Sequence, residues 1–204
     1  MIAVIDYDAG NVASVTKAIE KVGFKAILTK DLRTIKSSSG IVLPGVGAFG
    51  DCLDKLKKYN LIDTILETIS SKKPFLGICV GFQLLFEEGY EFGIHKGLGI
   101  FKGACIKFTP TINQKVPHMG WNTIHYTKYC NLFDNIKNES YFYFVHSYFT
   151  DSDDNRVAKT DYICTFTSAV QKNNVYGVQF HPEKSQISGL KIYENFCNMC
   201  EEKC

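Results

Sequence analysis

The sequence has little of what marks fibrous, disordered, membrane-spanning or nucleic-acid-binding proteins. Proline accounts for only 5 of the 204 residues and glycine for 16, so the chain is neither collagen-like nor of low complexity. Its apolar runs fall far short of the ~20 residues that a transmembrane helix needs. Lysine and arginine total 23 against 21 acidic residues, and this near balance lacks the basic footprint of nucleic-acid-binding proteins. We therefore predict neither a nucleic-acid nor a membrane partner.

The first residues lack the features of a targeting segment. Residues 1–6 (Met-Ile-Ala-Val-Ile-Asp) reach an acidic residue without a basic flank, unlike a signal or transit peptide. A chain of 204 residues suits one domain and buries about 70% of its unfolded surface without a disulfide or a metal. We expect a cytoplasmic protein with a single domain over residues 1–204.

The chain contains eight cysteines. Without a secretory segment they do not predict a disulfide framework. Cys197, Cys200 and Cys204 have the spacing C-x2-C-x3-C, which could in principle bind a metal. No second pair and no neighbouring histidine completes a tetrahedral ligand set, and the spacing suits one face of a terminal helix. We therefore predict free thiols, with no metal and no cofactor.

Short apolar runs alternate with amphipathic helical patterns in the first half of the chain. This alternation predicts an α/β fold, in which a central, mostly parallel sheet is flanked by helices. After about residue 97 short β-rich runs dominate, which predicts a smaller antiparallel β extension. Strands are predicted at residues 2–5, 25–28, 41–43 and 74–78, and helices at 12–22, from an N-cap at Asp51, at 61–69 and at 187–200.

The sharpest local motif is a glycine-flanked cysteine at residues 77–81 (Gly-Ile-Cys-Val-Gly). It follows a predicted strand and precedes a helical pattern, as in the nucleophile elbow of hydrolases. This turn places Cys79 at a helix N-terminus, an environment that favours a reactive thiolate. The Val80 N–H is then free to join an oxyanion hole. We predict that Cys79 is a nucleophile rather than a buried core cysteine.

A candidate base and a group to orient it lie far downstream, at residues 181–183 (His-Pro-Glu). Residues two apart in extended backbone project to the same side. Glu183 can therefore hold one nitrogen of His181 while the other nitrogen faces Cys79, which is the arrangement of a catalytic triad. Alone the tripeptide is a weak signal, and its weight comes from the pairing with the elbow.

A second glycine cluster, residues 45–50 (Gly-Val-Gly-Ala-Phe-Gly), matches the dinucleotide-binding pattern G-x-G-x-x-G. That pattern belongs after the first strand of a βαβ unit, with an acidic residue ending the second strand. Here it follows the third predicted strand, and Glu67 lies inside a helical pattern. We interpret it instead as a backbone segment whose N–H groups face an oxyanion beside Cys79.

With these residues in this order, the chain resembles the class I (triad) glutamine amidotransferases over nearly its whole length. Within that family, residues 120–122 (Gly-Trp-Asn), 146–148 (His-Ser-Tyr) and 183–185 (Glu-Lys-Ser) favour the members that pass ammonia to a separate (β/α)8-barrel synthase subunit in histidine biosynthesis. The segments that carry the resemblance are residues 6–11, 43–51, 77–81, 117–122, 143–148 and 181–185.

The resemblance implies one class I amidotransferase domain that hydrolyses L-glutamine to glutamate and ammonia. It implies Cys79 as nucleophile, His181 as acid and base, and Glu183 as the orienting carboxylate. By the same resemblance the oxyanion elements are Val46, Gly47 and Val80, the glutamine-binding positions are Gln83, Ser147, Tyr148 and Phe149, and the partner-interface positions are Asn11, Trp121 and Lys184.

Three alternatives stay open at this stage. A paralogue could deliver ammonia to another acceptor, with little visible change in sequence. A stand-alone Cys-His hydrolase of the same fold, such as a γ-glutamyl peptidase, would act without a partner. A catalytically silent interaction subunit is disfavoured, because such a chain would be free to lose Cys79 or His181.

Overall fold

The structure, a computed structural model that describes residues 1–201, alternates strands and helices through its first half. The second half is built mainly of strands and closes with a long helix. The helices are α1 Val12–Lys21, α2 Leu32–Ser37, α3 Phe49–Lys58, α4 Leu61–Ser70, α5 Val80–Gln83 and α6 Gln186–Glu201, with 3-10 turns at Asn131–Phe133 and Pro182–Lys184. The strands are β1 Ile2–Ile5, β2 Ala26–Thr29, β3 Gly40–Leu43, β4 Phe75–Ile78, β5 Phe86–Gly89, β6 His95–Lys96, β7 Phe101–Lys107, β8 His118–Thr123, β9 His125–Tyr126, β10 Tyr141–His146, β11 Tyr148–Thr150, β12 Arg156–Asp161, β13 Thr165–Lys172 and β14 Val175–Val178.

The centre of the described chain is an eight-stranded mixed sheet with the order β2-β1-β3-β4-β14-β13-β12-β9. The five strands from β2 to β14 run parallel, and β13, β12 and β9 continue the sheet antiparallel. Every residue of β1, β3, β4 and β14 is buried, as expected for parallel strands covered on both faces. This architecture confirms the predicted α/β class.

Two smaller sheets complete the fold within residues 1–201. Strands β8 and β10 form an antiparallel pair, and β11, β7, β5 and β6 form a four-stranded sheet. In the latter only β5 and β7 pair in parallel. The two smaller sheets account for the predicted smaller β extension. They lie near the carboxyl end of β4, where the elbow begins.

The helices cover the main sheet in two groups. Crossover connections between parallel strands are right-handed. The connection from β1 to β2 runs in one direction across the sheet, and those from β2 to β3 and from β3 to β4 run in the other. Helix α1 therefore covers one face, and α2, α3 and α4 cover the opposite face. Accordingly, α1 packs with α6, whereas α2 and α3 pack with α4. Within residues 1–201, none of these helices combines the length and the apolar content that a membrane crossing requires.

The predicted elements differ from the observed ones mainly at their ends. Strands predicted at 25–28 and 74–78 are observed at Ala26–Thr29 and Phe75–Ile78, and the helix predicted at 12–22 ends at Lys21. The short helix α2 was not predicted, although Asp31 caps it by accepting a 2.8 Å hydrogen bond from the Thr34 N–H. Six residues carry too little periodicity to distinguish such a helix from a turn.

The prediction that Asp51 caps the third helix is wrong. Helix α3 begins two residues earlier, at Phe49, and Asp51 lies inside its first turn. The Phe49 N–H donates instead to Glu91 Oε2, at 2.8 Å. A helix start satisfied by a distant side chain leaves no local capping signal in the sequence.

Candidate active site

Cys79 lies in the turn between β4 and α5, at the carboxyl edge of the main sheet. Its backbone has φ 54 and ψ −110, a conformation that a non-glycine residue adopts only at a cost of about 1–3 kcal/mol. The flanking glycines permit it, because a Cβ on Gly81 would lie 1.9 Å from the Leu43 carbonyl oxygen. The helix that follows has only four residues and is shorter than the helical pattern predicted.

His181 reaches Cys79 because β14 runs parallel beside β4. The two strands are in register up to Ile78 and Val178, and the Cys79 N–H donates a 2.9 Å hydrogen bond to the Val178 carbonyl. Positions about 100 residues apart in sequence thus leave the sheet side by side. Both side chains then line one cavity, in the crevice where ligands bind to open α/β sheets.

Glu183 holds the far side of the His181 ring. His181 Nδ1 lies 2.8 Å from Glu183 Oε1, with the two side chains only 3% and 2% exposed. A carboxylate can only accept, so Nδ1 is the protonated nitrogen in this pair. The other nitrogen, Nε2, is buried and has no hydrogen-bond partner within residues 1–201.

The electrostatics of this group favour a charged imidazole. Burial alone lowers the pKa of His181, but the interactions with Cys79 and with Glu183 outweigh it and raise the pKa to about 10. Tyr193 adds a further contact from α6, its hydroxyl donating to Glu183 Oε2 at 3.4 Å. The arrangement can hold a proton on Nε2, the ring nitrogen on the side of the cavity that Cys79 also lines.

The cavity has a volume of about 410 Å³. Of the predicted oxyanion and glutamine-binding positions, its wall contains all but Phe149. The Phe149 ring stacks instead on Phe108, with a centroid distance of 4.3 Å. Predicted residues in the cavity wall are Val46, Gly47, Cys79, Val80, Gln83, Ser147, Tyr148 and His181.

The predicted oxyanion segment lies against the elbow, and a carbonyl closes off the Val80 N–H. The sequence predicted a free Val80 N–H, but in the structure it faces the Gly45 carbonyl oxygen at 3.4 Å. Gly45 comes this close because it has no Cβ; one would lie 2.7 Å from the Gly81 nitrogen. The Val46 carbonyl is turned the other way, accepting from Cys52 Sγ at 3.5 Å. Gly47 has φ +102, in the region that favours glycine.

Gln83 and Gln179 form a buried amide pair under the cavity. Gln83 Nε2 donates to the Tyr148 carbonyl at 2.9 Å and to Gln179 Oε1 at 3.0 Å. The other end of the Gln179 amide, Nε2, lies 3.9 Å from Cys79 Sγ. Gln179 was not singled out from the sequence, although its place two residues before His181 is a signal that could have found it.

Glu91 is a second residue that sequence reasoning missed. Among the described residues it is the only carboxylate in the cavity wall. Burial raises the pKa of its carboxyl. No local pattern singles it out from Glu87 and Glu88, because its position depends on the turn between β5 and β6.

The predicted interface residues lie outside the cavity. Trp121 is 47% exposed on β8 and meets the Tyr143 ring edge-on, at 6.1 Å between centroids. Lys184 Nζ lies 5.6 Å from the centroid of the same ring. Asn11 is exposed at the start of α1, which contacts the turn Pro182–Lys184. The structure thus gathers Trp121 and Lys184 around Tyr143, with Asn11 on the neighbouring helix.

Comparison with known proteins gives one consistent result. Residues 3–200 match the family described as Glutamine amidotransferase class-I. The chain is 48% identical over 203 residues to the imidazole glycerol phosphate synthase subunit HisH of Sulfurimonas denitrificans, covering 96% of this chain and 97% of the relative. It is 48% identical over 200 residues to the HisH of Methanocaldococcus jannaschii, at 98% and 100% coverage. The chain belongs to the class I glutamine amidotransferases, within their HisH group.

A solved structure of lower identity supports the fold of this amidotransferase. PurLQS from Thermotoga maritima superposes with a TM-score of 0.74 at 20% identity, covering 97% of each chain. At that identity the likeness concerns the fold alone. The prediction of a class I amidotransferase fold is confirmed.

Within residues 1–201, none of the other cysteines lines the cavity. Cys197 and Cys200 are buried in α6, and burial raises the pKa of Cys197 to about 12. Within residues 1–201, Cys164 is the exposed free thiol, and no group of three or more His, Cys, Asp or Glu side chains could hold a metal. Cys204 lies outside the described residues.

Proposed function

We propose that this amidotransferase is the glutaminase subunit of an imidazole glycerol phosphate synthase. It hydrolyses L-glutamine and passes ammonia to a (β/α)8-barrel subunit, which forms imidazole glycerol phosphate and aminoimidazole carboxamide ribonucleotide in histidine biosynthesis. The observation that carries the proposal is the His181 ring, held by Glu183 at Nδ1 and left with a bare Nε2 in the Cys79 cavity. The identity to HisH relatives over the whole chain supports the pathway.

The first half of the reaction forms a thioester. The Cys79 thiolate attacks the side-chain amide carbon of glutamine, and the carbonyl electron pair moves to oxygen. Collapse of this intermediate breaks the C–N bond while His181 Nε2 delivers its proton to the departing nitrogen. Ammonia leaves, and the γ-glutamyl group stays on sulfur.

The second half regenerates the site. Neutral His181 accepts a proton from water, whose oxygen attacks the thioester carbon. The C–S bond breaks, glutamate leaves, and the Cys79 thiolate again faces a protonated His181. Glu183 acts throughout as a positioning residue that fixes the ring and stabilises its charge.

The cavity wall offers complementary groups for the amino-acid end of glutamine. The Glu91 carboxylate suits the α-ammonium group, since a charged hydrogen bond in a part-buried site is stronger than a neutral one. The glutamine carboxylate can only accept hydrogen bonds. We therefore assign it to backbone N–H groups near Ser147.

The oxyanion hole requires a rearrangement of the segment after β3. In the present arrangement the Gly45 carbonyl occupies the Val80 N–H. Rotation of the Gly45–Val46 peptide would turn that carbonyl away and bring the Val46 N–H in beside the Val80 N–H. Two donors would then face the oxyanion. Such a rotation predicts low glutaminase activity in the isolated chain and a rise on partner binding.

A partner surface is supported by the group around Tyr143. Trp121, which is 47% exposed and meets the Tyr143 ring beside Lys184, is the kind of anchor that protein interfaces bury. We assign Trp121, Lys184 and Asn11 to the contact with the barrel subunit.

Alkylation by a glutamine-like chloroketone tests the proposal. It should label Cys79 alone, and Cys79→Ala should abolish glutamine-dependent synthesis by the complex while ammonia-dependent synthesis survives. Cys164→Ala, which removes an exposed thiol, is the matched control and should behave as wild type. Labelling of Cys164 in place of Cys79, or full glutamine-dependent turnover in Cys79→Ala, would refute the assignment.

A further inference from the structure

Two buried histidines outside the triad contact each other beside the cavity, and one of them, His146, is part of its wall. His118 begins β8 and His146 ends β10, and they are register partners in that antiparallel pair. His118 Nδ1 lies 3.0 Å from His146 Nε2, and the residues are 3% and 6% exposed. The mechanism proposed above uses neither of them.

The contacts around this pair fix the direction of each hydrogen bond. His146 Nδ1 lies 2.8 Å from the Tyr148 carbonyl, which can only accept, so His146 carries its proton on Nδ1. Its Nε2 must then accept from His118 Nδ1. His118 Nε2 is left as an acceptor, and Asn122 Nδ2 lies 3.3 Å from it. Each neutral ring therefore has one permitted tautomer.

The same chain continues to the nucleophile. The Tyr148 carbonyl accepts from His146 Nδ1 and from Gln83 Nε2, so both of its lone pairs are used. Gln83 donates its second amide hydrogen to Gln179, whose Nε2 lies near Cys79 Sγ. Seven residues thus form one connected path: Asn122, His118, His146, Tyr148, Gln83, Gln179 and Cys79.

Aromatic rings enclose the two histidines. Tyr162 and Phe144 stack on His118 at 4.0 and 4.8 Å, and Phe166 meets His146 edge-on at 5.1 Å. Burial in this apolar setting makes a second proton on either ring costly. A protonated ring would also replace an acceptor by a donor and break the path at that point.

The outer end of the path is next to the candidate partner surface. Asn122 follows Trp121 on β8, and its Nδ2 is also held by the Asp161 carbonyl at 2.9 Å. A shift of β8 would therefore be passed to the Tyr148 carbonyl through the two histidine rings, whose nitrogens within residues 1–201 bond only the partners named above.

We propose that Asn122, His118 and His146 are positioning residues for glutamine, acting through the Tyr148 carbonyl and Gln83. This inference rests on the proposed glutaminase function. Packing alone would account for two stacked rings. It gives no reason for the second ring to bond the same carbonyl that holds Gln83 in the cavity wall.

Nuclear magnetic resonance of the full ¹⁵N-labelled chain tests the path without reference to activity. Long-range ¹H–¹⁵N spectra at pH 7 should show His118 and His146 as neutral rings protonated at Nδ1, with His118→Phe used for assignment. A ring protonated at Nε2, or a charged ring, would overturn the path. If glutamine hydrolysis itself proves absent, this result still stands or falls alone.

Kinetics of the complex with the barrel subunit test the positioning role. His118→Phe keeps the stacking but removes the hydrogen bonds to His146 and to Asn122. Loss of the buried bond to His146, which leads toward Gln83, should raise KM for glutamine about tenfold. Labelling of Cys79 by iodoacetamide, which needs no glutamine contacts, should stay close to the wild-type rate. Asn122→Ala, at the part-exposed end, should raise KM in the same direction without threatening the fold.

The matched control is His125→Phe. His125 lies outside the path, and its ring faces Glu139. It should leave KM for glutamine unchanged. An unchanged KM in both His118→Phe and Asn122→Ala, or an equal rise in His125→Phe, would overturn the positioning role.

Discussion

The backbone N–H of Phe49 donates a 2.8 Å hydrogen bond to Glu91 Oε2 across 42 positions of sequence. This bond ties the start of α3 to the turn between β5 and β6. The same carboxylate faces the cavity beside Cys79. One side chain thus accepts the hydrogen bond from the first N–H of α3 and also places a carboxylate in the cavity wall. A substitution that keeps the acceptor but removes the charge can separate these two roles.

Glu91→Gln should weaken glutamine binding without loosening α3. The amide oxygen can still accept from the Phe49 N–H, but the charge that suits the α-ammonium group is gone. A charged hydrogen bond contributes about 1.5–3 kcal/mol, so KM for glutamine should rise by roughly 10- to 100-fold. Steady-state kinetics of the complex measure this, with ammonia-dependent synthesis as an internal reference.

Glu88→Gln is the control for that substitution. Glu88 accepts from the Tyr90 hydroxyl and lies outside the cavity wall. The KM of Glu88→Gln for glutamine should therefore match that of the wild type. If Glu91→Gln binds glutamine as well as Glu88→Gln does, Glu91 acts only as a helix cap.

Glu183→Gln should reduce turnover much less than His181→Ala. The amide oxygen can still hold Nδ1, whereas removal of the ring abolishes proton transfer, which contributes about 10²–10⁴-fold. Because the Glu183 charge helps to raise the pKa of His181 to about 10, the upper limb of the pH–rate profile should move to lower pH in Glu183→Gln. Equal losses in kcat for the two variants would indicate a direct chemical role for Glu183.

Much of the fold and the core of the site could be predicted from local pattern. The buried strands β1, β3 and β4 stand out as apolar runs, and the glycines around Cys79 mark a turn that other residues cannot form. What could not be predicted depends on distant contacts. Glu91 becomes a site residue because of a hairpin, and Asp51 loses the capping position to it. The Val80 N–H is occupied by the Gly45 carbonyl from the loop after β3.

The same reasoning explains the histidine pair. His118 and His146 lie 28 residues apart, and each alone is typical of a structural histidine. Their pairing depends on the register of β8 with β10, which a sequence without a tight hairpin turn does not specify.

Stability should fall as the pH drops from about 7 to 5. Burial lowers the pKa of His118 to about 4 and that of His146 to about 3, below the ~6.5 of an unfolded histidine. The unfolded chain therefore binds more protons in this window, and each buried histidine should remove about 1.4 kcal/mol of unfolding free energy per pH unit once below pH 6. Urea unfolding across this range measures the slope.

His118→Phe should remove about half of the histidine contribution to that slope, because one of the two linked protons is lost. Phe101→Leu, a core substitution far from the pair, should lower stability by a similar amount at every pH. A slope in His118→Phe equal to that of wild type would show that His118 is already charged in the folded protein.

Partner dependence separates a synthase subunit from a stand-alone hydrolase. The isolated chain should show very low glutaminase activity, since the Gly45 carbonyl occupies the Val80 N–H. Activity should rise by orders of magnitude when the barrel subunit and its nucleotide ligand are added, if their docking rotates the Gly45–Val46 peptide.

Lys184→Ala should weaken that stimulation or the association, because it removes the cation beside Tyr143. Labelling of Cys79 by a small electrophile should persist. Lys36→Ala, which changes an exposed lysine at the opposite edge of the sheet, should bind and respond as wild type. High activity in the isolated chain, unchanged by any partner, would contradict the subunit assignment and favour a hydrolase that acts alone.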